Sequence, residues 1–147
     1  MPNLILSNSL SQPSGGPKSD EYKINEAFGS DVGVFLENNA DISVVLGILV
    51  IATDEANGSA YATVPVIPYT TYTYSAKLVA KAAAGNTILA IGDGVNDTTY
   101  VNVNATSNGT TYSDTFVPTI PEITLSLIGV NASRTSRWDD VKLYEDF

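Results

Sequence analysis

The sequence predicts an all-β fold, a two-sheet antiparallel β-sandwich of the jelly-roll type. Three observations carry that prediction. Segments rich in β-branched and aromatic residues recur roughly every eight to twelve residues, with Gly, Pro, Asn and Asp between them. No stretch sustains the 3.6-residue period of an amphipathic helix. The clearest passage has period two: Tyr72, Tyr74, Ala76, Leu78 and Ala80 share one face, and Thr73, Ser75, Lys77, Val79 and Lys81 share the other.

Taken in order, Asn3 to Ser7 reads as a short first strand. Residues 8–31 are built of Ser, Gln, Pro, Gly and Lys, with Pro13 and Pro17 around Gly15-Gly16. This composition packs no core of its own and reads as a long loop or a contact arm. Tyr22, Ile24, Ala27 and Phe28 are placed to pin its second half to the body. Val32 to Leu36 is a candidate strand. Ile42 to Thr53, bounded by Asp41 and Asp54, is the most hydrophobic segment and predicts a strand buried on both faces or bulged at Gly47. Asn57-Gly58 signals a turn, and Ala60 to Val66 another strand.

After the period-two strand, Ala82-Ala83-Ala84 runs straight into Gly85-Asn86, which makes it a turn. Thr87 to Ile91 is a strand, and residues 92–97 form a loop. Thr99 to Ala105 and Thr110 to Val117 are strands around Asn108-Gly109. Ile123, Leu125 and Leu127 mark the next strand after Pro118 and Pro121. The chain then closes on Arg137-Trp138-Asp139-Asp140-Val141-Lys142-Leu143-Tyr144. If Val141 and Leu143 face inward, strand alternation turns Asp139 inward too. A buried carboxylate needs N–H donors, a cation or a basic partner such as Arg134 or Arg137. The short apolar first and last strands are expected side by side, giving one jelly-roll domain over 1–147.

Composition narrows the chemistry. The chain has no cysteine and no histidine. Disulfides, thiol catalysis, a Ser-His-Asp triad and the commonest zinc ligand are therefore absent. Seven basic residues against sixteen acidic ones give a net charge of −9, which disfavours nucleic-acid and anionic-membrane partners. Glycoside hydrolysis needs only two carboxylates. The candidates Asp54-Glu55, Asp93 with Asp97, and Asp139-Asp140 all sit in turns or at strand ends, where Asp is simply a good turn former. No catalytic residue and no enzyme activity are expected. The Asn-x-Ser/Thr triplets at Asn57, Asn96, Asn104, Asn108 and Asn131 follow from a Thr/Asn/Ser-rich composition. Met1 to Leu10 lacks a basic n-region and a long apolar run, so the expectation is a stand-alone module without an export signal.

Several segments resemble the jelly-roll carbohydrate-binding modules of families four, nine and twenty-two. Asn3-Leu4-Ile5-Leu6-Ser7-Asn8 is similar to their opening strand. Gly58-Ser59-Ala60-Tyr61 and the run from Val66 to Lys77 are similar to their middle. Thr115-Phe116-Val117-Pro118-Thr119 is similar to their late strand, and Trp138-Asp139-Asp140-Val141-Lys142-Leu143 to their terminal one. The resemblance implies a structural calcium held by Asp139 with Asn8. The acidic residue usual after the opening Asn is replaced here by Ser9, Leu10, Ser11 and Gln12.

Such jelly rolls also serve as structural modules in tailed-phage virions. The first functional expectation is accordingly a non-enzymatic capsid decoration (cement) protein on the virion surface. It would bind the major capsid protein, or itself as a homo-oligomer such as a trimer, through Pro13, Pro17, Tyr22, Phe28 and Phe147. The alternative is an extracellular carbohydrate-binding module that recognises polysaccharide on a β-sheet face, with Tyr69, Tyr100, Tyr112 and Trp138 as its glycan platform.

Overall fold

The computed structural model describes residues 22–146. They form eleven strands: β1 (Tyr22–Glu26), β2 (Leu36–Asn38), β3 (Ala40–Val45), β4 (Ile48–Thr53), β5 (Gly58–Pro65), β6 (Tyr72–Lys81), β7 (Thr87–Gly92), β8 (Val101–Ala105), β9 (Thr110–Phe116), β10 (Glu122–Gly129) and β11 (Thr135–Glu145). Every pairing is antiparallel. A six-stranded sheet runs β3-β4-β11-β6-β9, with β1 also paired to β11, and a five-stranded sheet runs β2-β5-β10-β7-β8. No helix among the described residues is long and apolar enough to cross a membrane.

The closing strand is the spine of the six-stranded sheet. Its first half pairs with β4, from Thr135 to Trp138, and its second half with β1, from Val141 to Tyr144. Its other side runs along β6. The inner faces of the two sheets alternate as the period-two reading requires. Tyr72, Tyr74, Ala76 and Leu78 of β6, with Trp138, Val141 and Leu143 of β11, meet Ala60 and Ala62 of β5, Leu89 and Ile91 of β7, and Ile123, Leu125 and Leu127 of β10. Each large aliphatic side chain buried there contributes about 1.5–3 kcal/mol relative to exposure.

The structure departs from the sequence reading in four places. Residues 42–53 are not one strand but the hairpin β3–β4, turned at Leu46 (φ 54°) and Gly47 (φ 76°). Two successive positive φ angles make a tight hairpin turn whose twist matches the strands. Val32 to Leu36 is mostly a turn, closed by the Phe35 N–H on the Val32 carbonyl, and the strand there is only Leu36–Asn38.

The arm expected at 8–31 ends in β1, whose Ile24 is buried, and Phe28 packs on Phe35 with ring centroids 5.9 Å apart. Phe28 is thus a core residue at 2 % exposure and not a free contact for a partner. The strand expected at Asn3 to Ser7, and Asn8, Pro13, Pro17 and Phe147, lie outside the described residues.

The fourth departure is Asp139. A bulge with Asp140 in the left-handed region (φ 49°) breaks the alternation of β11. Trp138 and Val141 both turn inward, and Asp139 stays half-buried, accepting the Asp140 N–H at 2.8 Å. The inward acid predicted from strict period two does not exist.

Candidate functional site

The five-stranded sheet positions the site. Its inner residues are fixed by register: Ala60 and Ala62 stand opposite Leu127 and Leu125, and Leu89 and Ile91 opposite the same pair from the other side. The intervening residues therefore face outward. One outward row reads Leu36, Tyr61, Ser126, Ala90, Asn102, and the next reads Asn38, Ser59, Ile128, Ile88, Asn104. A third brings Thr63, Thr124 and Gly92 into line, with the Thr63 and Thr124 hydroxyls 2.8 Å apart. The centre of this face is small and neutral, and its rims carry Leu36 and Tyr61 on one side and two amides on the other.

Outward residues of a two-layer sandwich are usually wet, yet here the central ones are buried. Ser59, Ala90 and Ser126 are fully shielded, and Thr124 and Ile128 nearly so. Two connections fold over them. The β7–β8 loop lays Asn96 across β10: its N–H donates to the Ser126 hydroxyl at 2.9 Å, and its amide nitrogen to the Asn57 carbonyl in the β4–β5 turn at 2.9 Å. Asn57 itself sits at φ 63°, the left-handed position that Asn tolerates.

Asp97 holds this strap in shape. It accepts the Thr99 hydroxyl at 2.6 Å and the Asp93 N–H at 2.6 Å, and these bonds lower its carboxyl below the usual carboxylate range. Gly92 leaves room for the same carboxylate, which a Cβ would strike. Beneath the strap, the Ser59 Oγ and Asn96 Oδ1 are buried without a partner among the described residues. Buried polar atoms are almost always paired, so both are sites for a water or a ligand hydroxyl.

Beyond the strap the face opens. Asn86, Thr87, Ile88, Asn104, Thr106 and Val130 line a cavity of about 380 Å³ at the β7–β8 side. Ile88 and Val130 give it an apolar floor. The amides of Asn86 and Asn104 each bring donors and an acceptor, and Thr106 adds a hydroxyl. The sequence expectation names none of these six residues for binding, and Asn104 enters it only within an Asn-x-Thr triplet. The signal was present as alternation, since Asn102 and Asn104 are the outward members of β8.

The four predicted platform aromatics do not come together. Trp138 is fully buried in the core, its inward turn set by the β11 bulge, and offers no face to a sugar. Tyr100 is half-buried against Phe116, with ring centroids 6.0 Å apart, and its hydroxyl accepts the Thr119 N–H at 3.1 Å. Tyr112 packs against the core, and its oxygen accepts the N–H groups of Ser107 and Thr106, each at 3.0 Å. Those two bonds lower its phenol below the ordinary tyrosine value. Only Tyr69 stands free, 77 % exposed on the β5–β6 turn at φ 63°, remote in sequence from the amide cavity.

Among the described residues no group of three or more acidic side chains is arranged to hold a metal ion, around Asp139 or elsewhere. Asn8, the other residue that the resemblance implies for calcium, lies outside the described residues. Tyr22 stacks edge-on with Tyr144 at 5.2 Å, tying β1 to the closing strand.

No family model matches the chain, and no curated protein matches it. Solved structures do. The CBM22-1 xylan-binding domain of Paenibacillus barcinonensis Xyn10C superposes with a TM-score of 0.66 at 16% identity, over 88% of this chain and 97% of that one. The Clostridium thermocellum endo-1,4-beta-D-xylanase 10B, as its CBM22-1 and GH10 modules complexed with xylohexaose, gives 0.68 at 14% identity, over 86% of this chain. This chain spans 29% of that two-module protein. A family 4 carbohydrate-binding module gives 0.53 at 18% identity, over 86% and 96% of the two chains. The fold is the jelly-roll sandwich of these modules, as the resemblance implied.

Proposed function

We propose that this chain is a non-catalytic carbohydrate-binding module that holds a xylan-type polysaccharide on the outer face of the five-stranded sheet. The observation that carries the reading is the open cavity where Asn86, Asn104 and Thr106 stand around Ile88 and Val130. A sugar ring presents hydroxyls at its edge and C–H groups on its faces. Amides bonded to the edge and aliphatic side chains under the face meet both needs. The xylan class comes from the matched structures, one a xylan-binding domain and another complexed with xylohexaose.

The same matches support this reading ahead of capsid decoration, and they favour an extracellular setting. Phe28, a contact residue on the capsid reading, is occupied in the core. With no aromatic side chain among the described residues that line the cavity, affinity is weak, a dissociation constant on the order of 1 mM, or about 4 kcal/mol. Titration with xylohexaose and a panel of neutral polysaccharides tests the proposal. Asn104→Ala removes an exposed amide and is expected to weaken binding about two- to tenfold, the worth of one hydrogen bond, with the fold unchanged. No affinity for any polysaccharide overturns it.

A further inference from the structure

We infer that a second cavity, at the end of the six-stranded sheet, takes the anionic substituent of an acid-decorated polysaccharide. Its volume is about 360 Å³, and its walls carry Lys81, Arg134 and Arg137. The chain has seven basic residues in total, so this one cavity collects three of them on a protein of net charge −9. Among the described residues the remaining lining is Ala80, Ala82, Ser133 and Thr135, with no carboxylate. Like charges that converge without a counter-charge repel one another, and a bound anion relieves that repulsion.

The positions are built. Lys81 ends β6, and its ammonium donates to the carbonyls of Ala82 at 3.2 Å and Gly85 at 2.9 Å, which leaves a third N–H free to donate. The Arg134 stem would touch a Cβ placed on Gly85, and its guanidinium spends one N–H on the Ser133 carbonyl at 3.2 Å. Arg137 projects outward from β11 and is exposed. A guanidinium fork matches a carboxylate or a sulfate with two parallel bonds, so two arginines beside an anchored ammonium suit either group.

The location links this cavity to the amide cleft. Between them lies a narrow gap of about 10 Å³ whose lining shares Ala82, Arg134 and Thr135 with the basic cavity and Asn86 and Thr87 with the amide one. A neutral backbone in the amide cleft would therefore carry its acidic side group around the sandwich end to the bases. This assignment rests on the glycan reading for its backbone, while the anion site stands on its own charges.

The test compares three ligands by titration: xylan bearing uronic-acid side groups, the same xylan after carboxyl reduction, and a sulfated xylan. The wild type is expected to bind the uronic-acid form about tenfold more tightly than the reduced form. Arg134→Gln/Arg137→Gln is expected to erase that difference and leave the reduced form bound as before. Arg137→Gln alone, at an exposed position, serves if the double variant misfolds, and should remove about half of the preference on a logarithmic scale. Tight binding of the sulfated form with the same arginine dependence supports the site and identifies charge, not carboxylate shape, as what it reads.

Equal affinity for acidic and reduced xylan overturns the basic site and leaves the amide cleft standing. Arginine-dependent binding of acidic xylan with none of the reduced form supports the basic site and overturns the cleft. Binding of neither form overturns both.

Discussion

The two sheets turn opposite kinds of face outward. On the six-stranded sheet the outward residues of β6 and β11 include Thr73, Ser75, Lys77, Arg137, Lys142 and Tyr144, all half-buried or exposed. On the five-stranded sheet Ser59, Ala90, Thr124, Ser126 and Ile128 face outward and are at most 4 % exposed. Both faces come from the same alternation, and Thr73 and Ser75 match Thr124 and Ser126 in size, so the loop laid over the second face makes most of the difference. Long polar chains stand up from the first face into water. Short neutral ones sink below the rims of the second, and the β7–β8 strap closes over them. A sheet face made of Ser, Ala, Gly and Thr is a seat, and here the strap itself sits in it.

The largest effect expected from a single change lies between the faces. Trp138→Ala should cost about 3–5 kcal/mol, the range for emptying a large buried aromatic, read as a shift in the denaturation midpoint. The folded fraction should still bind glycan. If the midpoint held while xylan binding vanished, Trp138 would belong to a ligand face and the closing strand would turn its faces the other way round.

A matched pair of substitutions then addresses the faces directly. Ser126→Leu overfills a sheltered site and loses the bond from the Asn96 N–H, for a cost of about 1–3 kcal/mol. Ser75→Leu, on the other outer face, should stay within about 0.5 kcal/mol. Equal costs in thermal or chemical denaturation would show that the two faces do not differ.

The sequence was most informative where alternation ran unbroken. Residues 72–78 and the Ile123, Leu125, Leu127 series needed nothing but period two to place their inner faces, whereas past Leu78 a register shift pairs Ala80, expected inward, with the outward Arg137. It was least informative where one residue reset the count. Asp140 at positive φ is invisible to a period-two reading, which therefore sent Asp139 inward and said nothing of Trp138's burial. Strand aromatics serve cores and ligand faces alike, so the sequence alone does not separate a platform from a packed ring. In the folded chain the Tyr100 and Tyr112 hydroxyls are engaged by the 119 and 106–107 backbone, partners distant from any local pattern. The amide cavity depends on β7, β8 and the loop after β10 coming together, which no local pattern encodes.

Acid should separate the faces more gently. The Asp97 carboxyl is held below its ordinary value by the Thr99 hydroxyl and the Asp93 N–H. A lowered carboxyl contributes stability that is fully present above the unfolded value and lost as pH falls through the lowered one. The strap should therefore keep its shape from neutral pH down past 3.8, the unperturbed value, and loosen only below that. Faster exchange at the Asn96 amide in strong acid, without matching change along β6, is the expected result. Strap and sheet loosening together would mean that the seat has no independent cover.

The smallest effect expected is also the only stabilising one, and it belongs to the open edge of the six-stranded sheet. Leu46 stands at the β3–β4 tip with φ 54° and 95 % exposure. A branched side chain is strained in the left-handed region, whereas Asn tolerates it, and the first position of this turn type favours Asn before Gly. So little of Leu46 is buried that almost no apolar contact is lost on replacement. Leu46→Asn should therefore raise stability by about 0.5 kcal/mol, seen as a small increase in Tm, with xylan binding unchanged because the tip lies on the other sheet. A fall in Tm would mean that the exposed leucine is covered in solution, and the wet face of this molecule would then need a partner of its own.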